Sequence, residues 1–431
     1  MAFSRRRIAR LGLGAVLLIA VIFGGRMLDR MALAYTTGFR RTFEAPVDEG
    51  PPREGATPGT TFLGFSRPAP EGEEGFVLGR VTAAGRDAGL RAGDRILRVD
   101  GAAYESARAV AGGLIRTRLA GESVEVEAIR DGEAIRVPLR LDPFIRHPGD
   151  LGLPYDDIEF ASPSGHLIRG WWIPPPEGSD GRVVVWVHGA HSSRHQAFDH
   201  GAERLRERGY GILTVDLSGR GSSEGEYITY TMHERHDVQA AVEFSRGRPD
   251  VRAEGVVVFG TSNGASSSIY AGAALGDLPA LALDAPYANL WQAAGSMLEA
   301  RGANSVLRVP LAFFVWLRTG LRIHDVRPGD VITGIPGAVL FIHGDHDRQV
   351  PPHHSLEMHE ARLAAGLPSR RWVLPGGEHG FDNYPPEGLF WNRVADFFDD
   401  ALGGRPPGFV LAGPTPGGLD WFHGDDPGDR P

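Results

Sequence analysis

The residues of this chain best suited to chemistry form a glycine-flanked turn, Gly-Thr-Ser-Asn-Gly at positions 260–264. An apolar run at 256–259 precedes the turn, and small residues at 265–274 that predict a helix follow it. A serine between a buried strand and a helix sits on a sharp turn, which lifts its hydroxyl clear of the sheet. The pattern therefore predicts Ser262 as a nucleophile. The alternative is a glycine-lined turn with a spectator serine.

A serine hydroxyl becomes a nucleophile when a base takes its proton and a third group orients that base. A suitable acid follows the predicted strand at 339–342, in the sequence His-Gly-Asp-His-Asp. The usual His-Gly-x-x-Asp spacing favours Asp347 over Asp345. Asp284, which follows an earlier predicted strand, is a third candidate.

The base is predicted in Gly-Gly-Glu-His-Gly at 376–380, directly after the predicted strand at 372–374. Here His379 is the candidate, and the alternative is a histidine on a surface loop. The order serine, acid, histidine along the chain is the order that a serine on a strand-to-helix turn requires.

Acyl transfer also needs fixed N–H donors for the oxygen that becomes negatively charged. One is predicted to be the backbone N–H of Asn263, at the N-terminus of the helix after the serine. The second should come from the loop after the predicted strand at 182–187. Ala190 is the favoured donor and His191 the alternative, while His188 is expected to hold this loop in place.

Composition excludes several other kinds of chemistry. The chain contains no cysteine, which rules out disulfides, thiol catalysis and cysteine metal sites. Its remaining histidine groups lack carboxylates at ligand spacing, so neither a metal nor another cofactor is expected. The formal net charge of −9 gives no reason to expect nucleic acid as a partner.

The segment at 150–403 must position these residues. Apolar runs there alternate with helical patterns, which predicts a mostly parallel, doubly wound α/β sheet that binds ligands at the carboxyl ends of its strands. Residues 287–330 interrupt the alternation with an apolar helix predicted at 306–321. Arg308, Pro310 and Arg318 argue against a membrane span. A lid over the site is the favoured interpretation, and a plain core helix is the alternative.

A second, β-rich unit is predicted at 58–143. Strands are expected at 76–81 and 95–99, with a helix at 107–118. This unit resembles a bacterial PDZ domain of the protease-associated type, through Ala-Gly-Leu at 88–90, Gly-Asp-Arg-Ile-Leu at 93–97 and Val-Asp-Gly at 99–101. The resemblance implies that a loop binds the C-terminus of a peptide or partner protein. A covered or empty groove is the alternative.

In this resemblance, the sequence Phe-Leu-Gly-Phe matches the family's carboxylate-binding loop, whose residues are Phe62, Leu63, Gly64 and Phe65.

The chain termini predict further segments. Arginines precede an uncharged run at 11–25, which predicts a single-pass membrane anchor at 1–30 with the remainder exported. A cleaved signal, a twin-arginine signal and an apolar helix of a soluble protein are alternatives. Residues 31–57 are predicted to be a linker, and the Pro- and Gly-rich tail at 404–431 is predicted to be disordered.

Residues 150–403 resemble the α/β-hydrolase superfamily, in particular its bacterial prolyl-oligopeptidase-like and BEM46-like serine hydrolases. The resemblance rests on His188-Gly189, the loop at 216–225 and the predicted nucleophile, acid and histidine. Ser218 replaces a common arginine, and Asn263 replaces a common methionine or glutamine.

The resemblance implies a serine hydrolase acting on an ester, thioester or amide, carboxylesterase-like or peptidase-like, and the N-terminal run adds the expectation that it is membrane-anchored. A tethered PDZ binding protein without catalysis is the alternative from another class.

Overall fold

In the computed structural model, the described residues are 59–60, 64–70, 72–81, 88–104, 110, 114, 118, 122–143, 147–381, 384–385 and 387–404. The predicted anchor at 1–30, the linker at 31–57 and nearly all of the tail lie outside them. The described residues up to 155, together with 381 and 384, form one compact unit, and the remaining described residues form another.

The smaller unit is an antiparallel sheet of five strands in the order β2-β3-β4-β5-β6, with β1 and β7 paired separately. Its strands are β1 (Gly59–Thr60), β2 (Gly64–Pro68), β3 (Phe76–Val81), β4 (Arg95–Val99), β5 (Ser123–Arg130), β6 (Glu133–Arg140) and β7 (Asp142–Pro143).

Alternate side chains of β5 face inward, so Val124, Val126 and Ala128 are buried in the core of this unit. The helical residues Val110 and Leu114 join the same core.

The larger unit contains a sheet of eight strands in the order β15-β14-β13-β12-β10-β11-β9-β8. Its strands are β8 (Asp156–Ala161), β9 (Leu167–Ile173), β10 (Val183–Val187), β11 (Gly211–Asp216), β12 (Val256–Thr261), β13 (Ala280–Asp284), β14 (Ala338–Gly344) and β15 (Ser369–Leu374). The β8–β9 and β9–β11 pairs are antiparallel and the other pairs are parallel. The predicted mostly parallel α/β sheet is therefore confirmed.

The strand register brings the carboxyl ends of these strands to one edge. Val187 of β10 pairs with Gly260 of β12, and Thr261 pairs with Asp284 of β13. Segments that follow β10, β12, β14 and β15 consequently meet at this edge, as parallel sheets of this kind require for a ligand site.

Helices connect the strands of the larger unit. They are α1 (Gln196–Asp199), α2 (Glu203–Glu207), α3 (Glu234–Arg246), α4 (Asn263–Leu275), α5 (Leu290–Ala300), α6 (Arg308–Thr319), α7 (His353–Ala364) and α8 (Glu387–Ala401). Both faces of the sheet are covered. Val185 of β10 belongs to the same buried cluster as Val238 of α3 and Ile269 of α4. On the opposite face, the Trp186 ring lies 4.9 Å from that of Trp391 on α8.

The segment 287–330 folds as α5 and α6 with short 3₁₀ turns at Ser305–Leu307 and Ile323–Asp325. The single helix predicted at 306–321 is therefore shorter than expected. The Asn304 side chain accepts a hydrogen bond from the Val306 N–H and starts the first turn, and Gly320, at φ 73°, ends α6. No helix among the described residues has both the length and the apolar character needed to cross a membrane.

Candidate active site

Ser262 occupies the turn between β12 and α4. Its φ of 53° and ψ of −115° are rarely adopted by residues other than glycine, so the backbone is strained where the hydroxyl is presented. The Ser262 N–H donates to the Asp284 carbonyl at 2.7 Å, which ties the turn to the end of β13. The residue is nearly buried, with 9% of its surface exposed.

The flanking glycines make this turn possible. A Cβ atom on Gly260 would lie 2.8 Å from the Ala265 Cα, too close for any real contact. On Gly264 it would lie 2.7 Å from the Val187 carbonyl carbon and would overlap the carbonyl oxygens of Val187 and His188. Helix α4 can therefore pack this closely against β12 at Gly260 and against β10 at Gly264 only because these positions lack side chains.

The structure brings the three predicted catalytic residues together. His379 Nε2 lies 3.0 Å from Ser262 Oγ, and His379 Nδ1 lies 2.6 Å from Asp347 Oδ2. The ionised carboxylate can only accept a hydrogen bond, so Nδ1 must carry the imidazole proton. Nε2 is then unprotonated and can accept the proton of the serine hydroxyl. This arrangement can activate the hydroxyl for attack on a carbonyl carbon.

Further contacts orient Asp347. Its Oδ1 accepts the N–H groups of Gln349 and Val350, both at 2.9 Å. Its Oδ2 lies 3.4 Å from His343 Nε2. Burial alone would raise the pKa of Asp347, but attraction to His379 and hydrogen bonds from His343 and His379 hold that pKa well below its usual range. Asp347 thus stays ionised, and it accepts a hydrogen bond from the imidazole without becoming protonated.

His343 is a partner of the predicted acid that the sequence reasoning missed. Its Nε2 lies 2.7 Å from the Val350 carbonyl and so carries the proton that also faces Asp347. The signal was present in the His-Gly-x-x-Asp motif, whose first residue is His343.

The alternative acids have other partners. Asp345 is exposed and its Oδ1 accepts the Gly376 N–H at 2.7 Å, so it links the acid loop to the histidine loop. Close packing of Gly344 against Gly377 brings the same loops together, because a Cβ on Gly344 would overlap the Gly377 carbonyl. Asp284 is buried at the end of β13 and contacts the serine turn through its backbone carbonyl.

The loop after β10 lies beside the serine. A Cβ on Gly189 would lie 3.6 Å from the Ser262 Cβ. His188 holds this loop, because its Nδ1 donates to the Gly189 carbonyl at 2.7 Å and its Nε2 accepts the Leu217 N–H at 3.0 Å. Burial lowers the pKa of His188 to about 4, so the ring is neutral and can accept that hydrogen bond.

The backbone N–H groups of three residues near the serine are candidates to bind a negatively charged oxygen. Asn263 is the first residue of α4, where the N–H has no partner within the helix. The Gly189 N–H is already used by the Gln196 side chain at 3.2 Å. The Ala190 N–H donates to no described residue, and neither does the N–H of His191, the alternative donor. The His191 ring Nδ1 lies 3.2 Å from an Arg220 amino group.

The segment 287–330 contacts the serine turn through Tyr287. The Tyr287 hydroxyl donates to Asn263 Oδ1 at 2.8 Å, and its backbone N–H donates to Ser266 Oγ at 3.0 Å. Ala190 also packs against the apolar cluster that this segment forms. Asn263 thus contacts the start of the segment 287–330, and Ala190 packs against the cluster to which this segment contributes.

The predicted peptide-binding loop is only partly described. Phe62 and Leu63 lie outside the described residues, whereas Gly64 and Phe65 begin β2 and pair with Val81 and Arg80 of β3. Among the residues that the structure describes, no group of three or more histidines and carboxylates could hold a metal ion.

Comparison with known proteins adds a family match. The family model described as serine aminopeptidase, S33, matches residues 178–333. The α/β-hydrolase domain-containing protein WAV2 of Arabidopsis thaliana is 27% identical over 260 residues, which are 58% of this chain and 81% of that protein.

Among solved structures, a puromycin-hydrolysing peptidase of Mycobacterium tuberculosis gives a TM-score of 0.50 at 18% identity, over 66% of this chain and 45% of that one. An esterase of Pyrococcus furiosus gives a TM-score of 0.48 at 24% identity, over 60% of this chain and 93% of that one.

The sheet order, the serine turn and the strand-end site define an α/β-hydrolase fold. Together with the match of residues 178–333 to the S33 family model, these features indicate a serine hydrolase.

Proposed function

We propose that this protein is an exported, membrane-anchored serine hydrolase whose catalytic residues are Ser262, His379 and Asp347. The observation that carries the proposal is the continuous chain of hydrogen bonds from Asp347 through His379 to the Ser262 hydroxyl, at 2.6 and 3.0 Å. Export and anchoring are inferred from the arginines that precede the uncharged run at 11–25.

In the proposed reaction, Ser262 Oγ forms a bond to the carbonyl carbon while His379 Nε2 takes the hydroxyl proton. The carbonyl oxygen becomes negative and accepts the N–H groups of Asn263 and Ala190. His379 then gives its proton to the leaving group as the bond to that group breaks. A water molecule, deprotonated by the same ring, attacks the acyl-enzyme, and the proton returns to the serine as the acid product leaves.

The proposed substrate is a small ester, thioester or amide, with an ester favoured. The family match and the fold relatives include both peptidases and an esterase, so a serine peptidase of prolyl-oligopeptidase-like type is the second candidate. No β-propeller pattern, usual in those peptidases, is evident in the sequence. We infer that residues 287–330 act as a lid, since Tyr287 binds the Asn263 side chain.

The smaller unit is proposed to be a PDZ domain that binds a protein C-terminus through Phe62, Leu63, Gly64 and Phe65. Its five antiparallel strands support this, as does the turn at Asp94. This buried carboxylate accepts hydrogen bonds from the Arg91 N–H at 2.8 Å and from Arg130 at 2.8 and 2.6 Å.

A panel of p-nitrophenyl esters assayed beside aminoacyl-anilides tests the proposed substrate. We expect turnover of short-chain esters that exceeds turnover of anilides, and loss of both in Ser262→Ala. Preferred turnover of anilides would favour the peptidase. Absence of turnover on the whole panel, with binding of a C-terminal peptide, would favour the tethered binding protein.

A further inference from the structure

Helix α6 exposes a large apolar surface. In this helix and the turn before it, five large apolar residues are 44–69% exposed. They are Val306, Val309, Phe313, Trp316 and Leu317. Their spacing of three, four, three and one residues places them on one face of the helix. We call these residues the apolar face of α6.

The opposite side of α6 already accounts for the packing of this helix. Leu311, Ala312 and Val315 are buried in the cluster formed by the segment 287–330. A helix that is apolar on both sides normally lies within a protein core or against a second apolar phase. The apolar face of α6 is therefore not required by the fold that the described residues form.

The sequence of this segment differs in charge from the chain as a whole. Between Glu299 and Asp325 the sequence contains four arginines and no carboxylate, whereas the whole chain has a formal net charge of −9. The arginines are Arg301, Arg308, Arg318 and Arg322. Apolar and aromatic residues on one face, combined with flanking arginines, are typical of helices that lie at the surface of an anionic membrane.

We propose that the apolar face of α6 docks onto the surface of an anionic phospholipid bilayer. Phe313, Trp316 and Leu317 enter the boundary between headgroups and acyl chains, and arginines such as Arg322 contact lipid phosphates. A second copy of the chain fits this face less well, because a symmetric pairing would bring two arginine-rich segments together. This contact is separate from the anchor proposed at 1–30 and does not depend on catalysis.

The absence of cysteine makes the test direct, because one introduced thiol is unique in the full-length chain. An environment-sensitive fluorophore is attached to Phe313→Cys or, as the control, to Leu363→Cys. Leu363 is also an exposed apolar residue, at 43%, but it lies on α7. The probe reports its own surroundings, so attachment of the chain to vesicles through another segment leaves its signal unchanged.

With phosphatidylglycerol-containing vesicles, we expect a blue shift of the probe at 313, a smaller shift with phosphatidylcholine alone, and none at 363. Equal responses at the two positions would overturn the proposal. So would a shift at 313 that grows with protein concentration without vesicles, which would indicate a second copy.

A second variant separates docking from local unfolding. With the probe at Val309→Cys, adding Phe313→Ser and Trp316→Ser should raise the vesicle concentration at half-maximal signal at least about tenfold, because two apolar side chains no longer leave water. Adding Leu363→Ser should leave that concentration unchanged. An unchanged value in the first variant, with its ester turnover intact, would contradict the proposal.

Discussion

At the level of single residues, Asp347 and Asp345 lie two positions apart but have different partners. Asp347→Asn should lower kcat by about 10⁴-fold, because an amide in place of the carboxylate favours the wrong imidazole tautomer. The fold should persist, since an amide oxygen can still accept the Gln349 and Val350 N–H groups. Steady-state kinetics on the preferred ester measures the loss.

Asp345→Asn is the matched control for that change. It should keep kcat within a few-fold, because Asp345 is exposed and its side chain accepts a hydrogen bond from the backbone of the histidine loop at Gly376. A larger loss in Asp345→Asn than in Asp347→Asn would reverse the assignment of the acid.

The sequence predicted which residues of the site meet, but not all of their contacts. Motif spacing and strand-end position were enough to select Ser262 and His379, because parallel strands bring their carboxyl ends together. His343 escaped the prediction. The direction of its side chain depends on where the Val350 carbonyl lies, and no local pattern encodes that position.

At the level of elements, the approach of α4 to β10 depends on Gly264. Gly264→Ala should destabilise the protein by about 3 kcal/mol or more, because the new methyl group would overlap backbone carbonyls that cannot move independently of the sheet. Chemical denaturation measures the change, and ester turnover should fall with it.

Gly388→Ala serves as the control on α8. A Cβ there meets no atom within 4 Å and the position is helical, so stability should stay equal or rise by up to about 1 kcal/mol. Equal stability of the two variants would show that α4 and β10 can separate without cost.

Buried strands were predictable as elements, whereas the inserted helices were less so. Every residue of β10 and β12 is buried, so their apolar runs carry a clear signal. Helix α6 is apolar on both its buried and its exposed sides. The 3.6-residue spacing of apolar residues, from which helix ends are predicted, is therefore weak in this segment. Its end is set instead by Gly320 in the left-handed conformation.

At the level of the whole molecule, buried histidines should make stability depend on pH. Burial lowers the pKa values of His188 and His359 to about 4, and that of His354 to about 3. Between about pH 6.5 and pH 4 the unfolded chain binds protons at these sites and the folded chain does not, so stability falls as pH falls. Glu234 opposes this trend, because burial raises its pKa to about 7.

His354→Leu isolates one of these contributions. Neither ring nitrogen of His354 has a hydrogen-bond partner among the described residues, so leucine should be tolerated. The variant should lose less stability on acidification than the parent, by up to about 1.4 kcal/mol per pH unit in this range. Denaturation series at several pH values measure the slopes. Identical slopes in the parent and in His354→Leu would contradict the account.

The identity of the smaller unit as a PDZ domain stays a prediction, as does the membrane anchor. The residues that would decide them, at 61–63 and 1–30, lie outside the described part of the chain. The hydrolase unit is better defined by sequence because its motifs fall at strand ends, where backbone geometry and chemistry constrain the same residues.

Covalent labelling with a fluorophosphonate, followed by mass spectrometry of the labelled peptide, tests the central claim most directly. We expect one adduct, on Ser262, which disappears in Ser262→Ala and persists in Ser267→Ala. Ser267 is a suitable control because it is buried nearby on α4, and its hydroxyl has no hydrogen-bond partner among the described residues. An adduct on another serine, or equal labelling of Ser262→Ala and the parent, would contradict the assignment of Ser262 as the nucleophile.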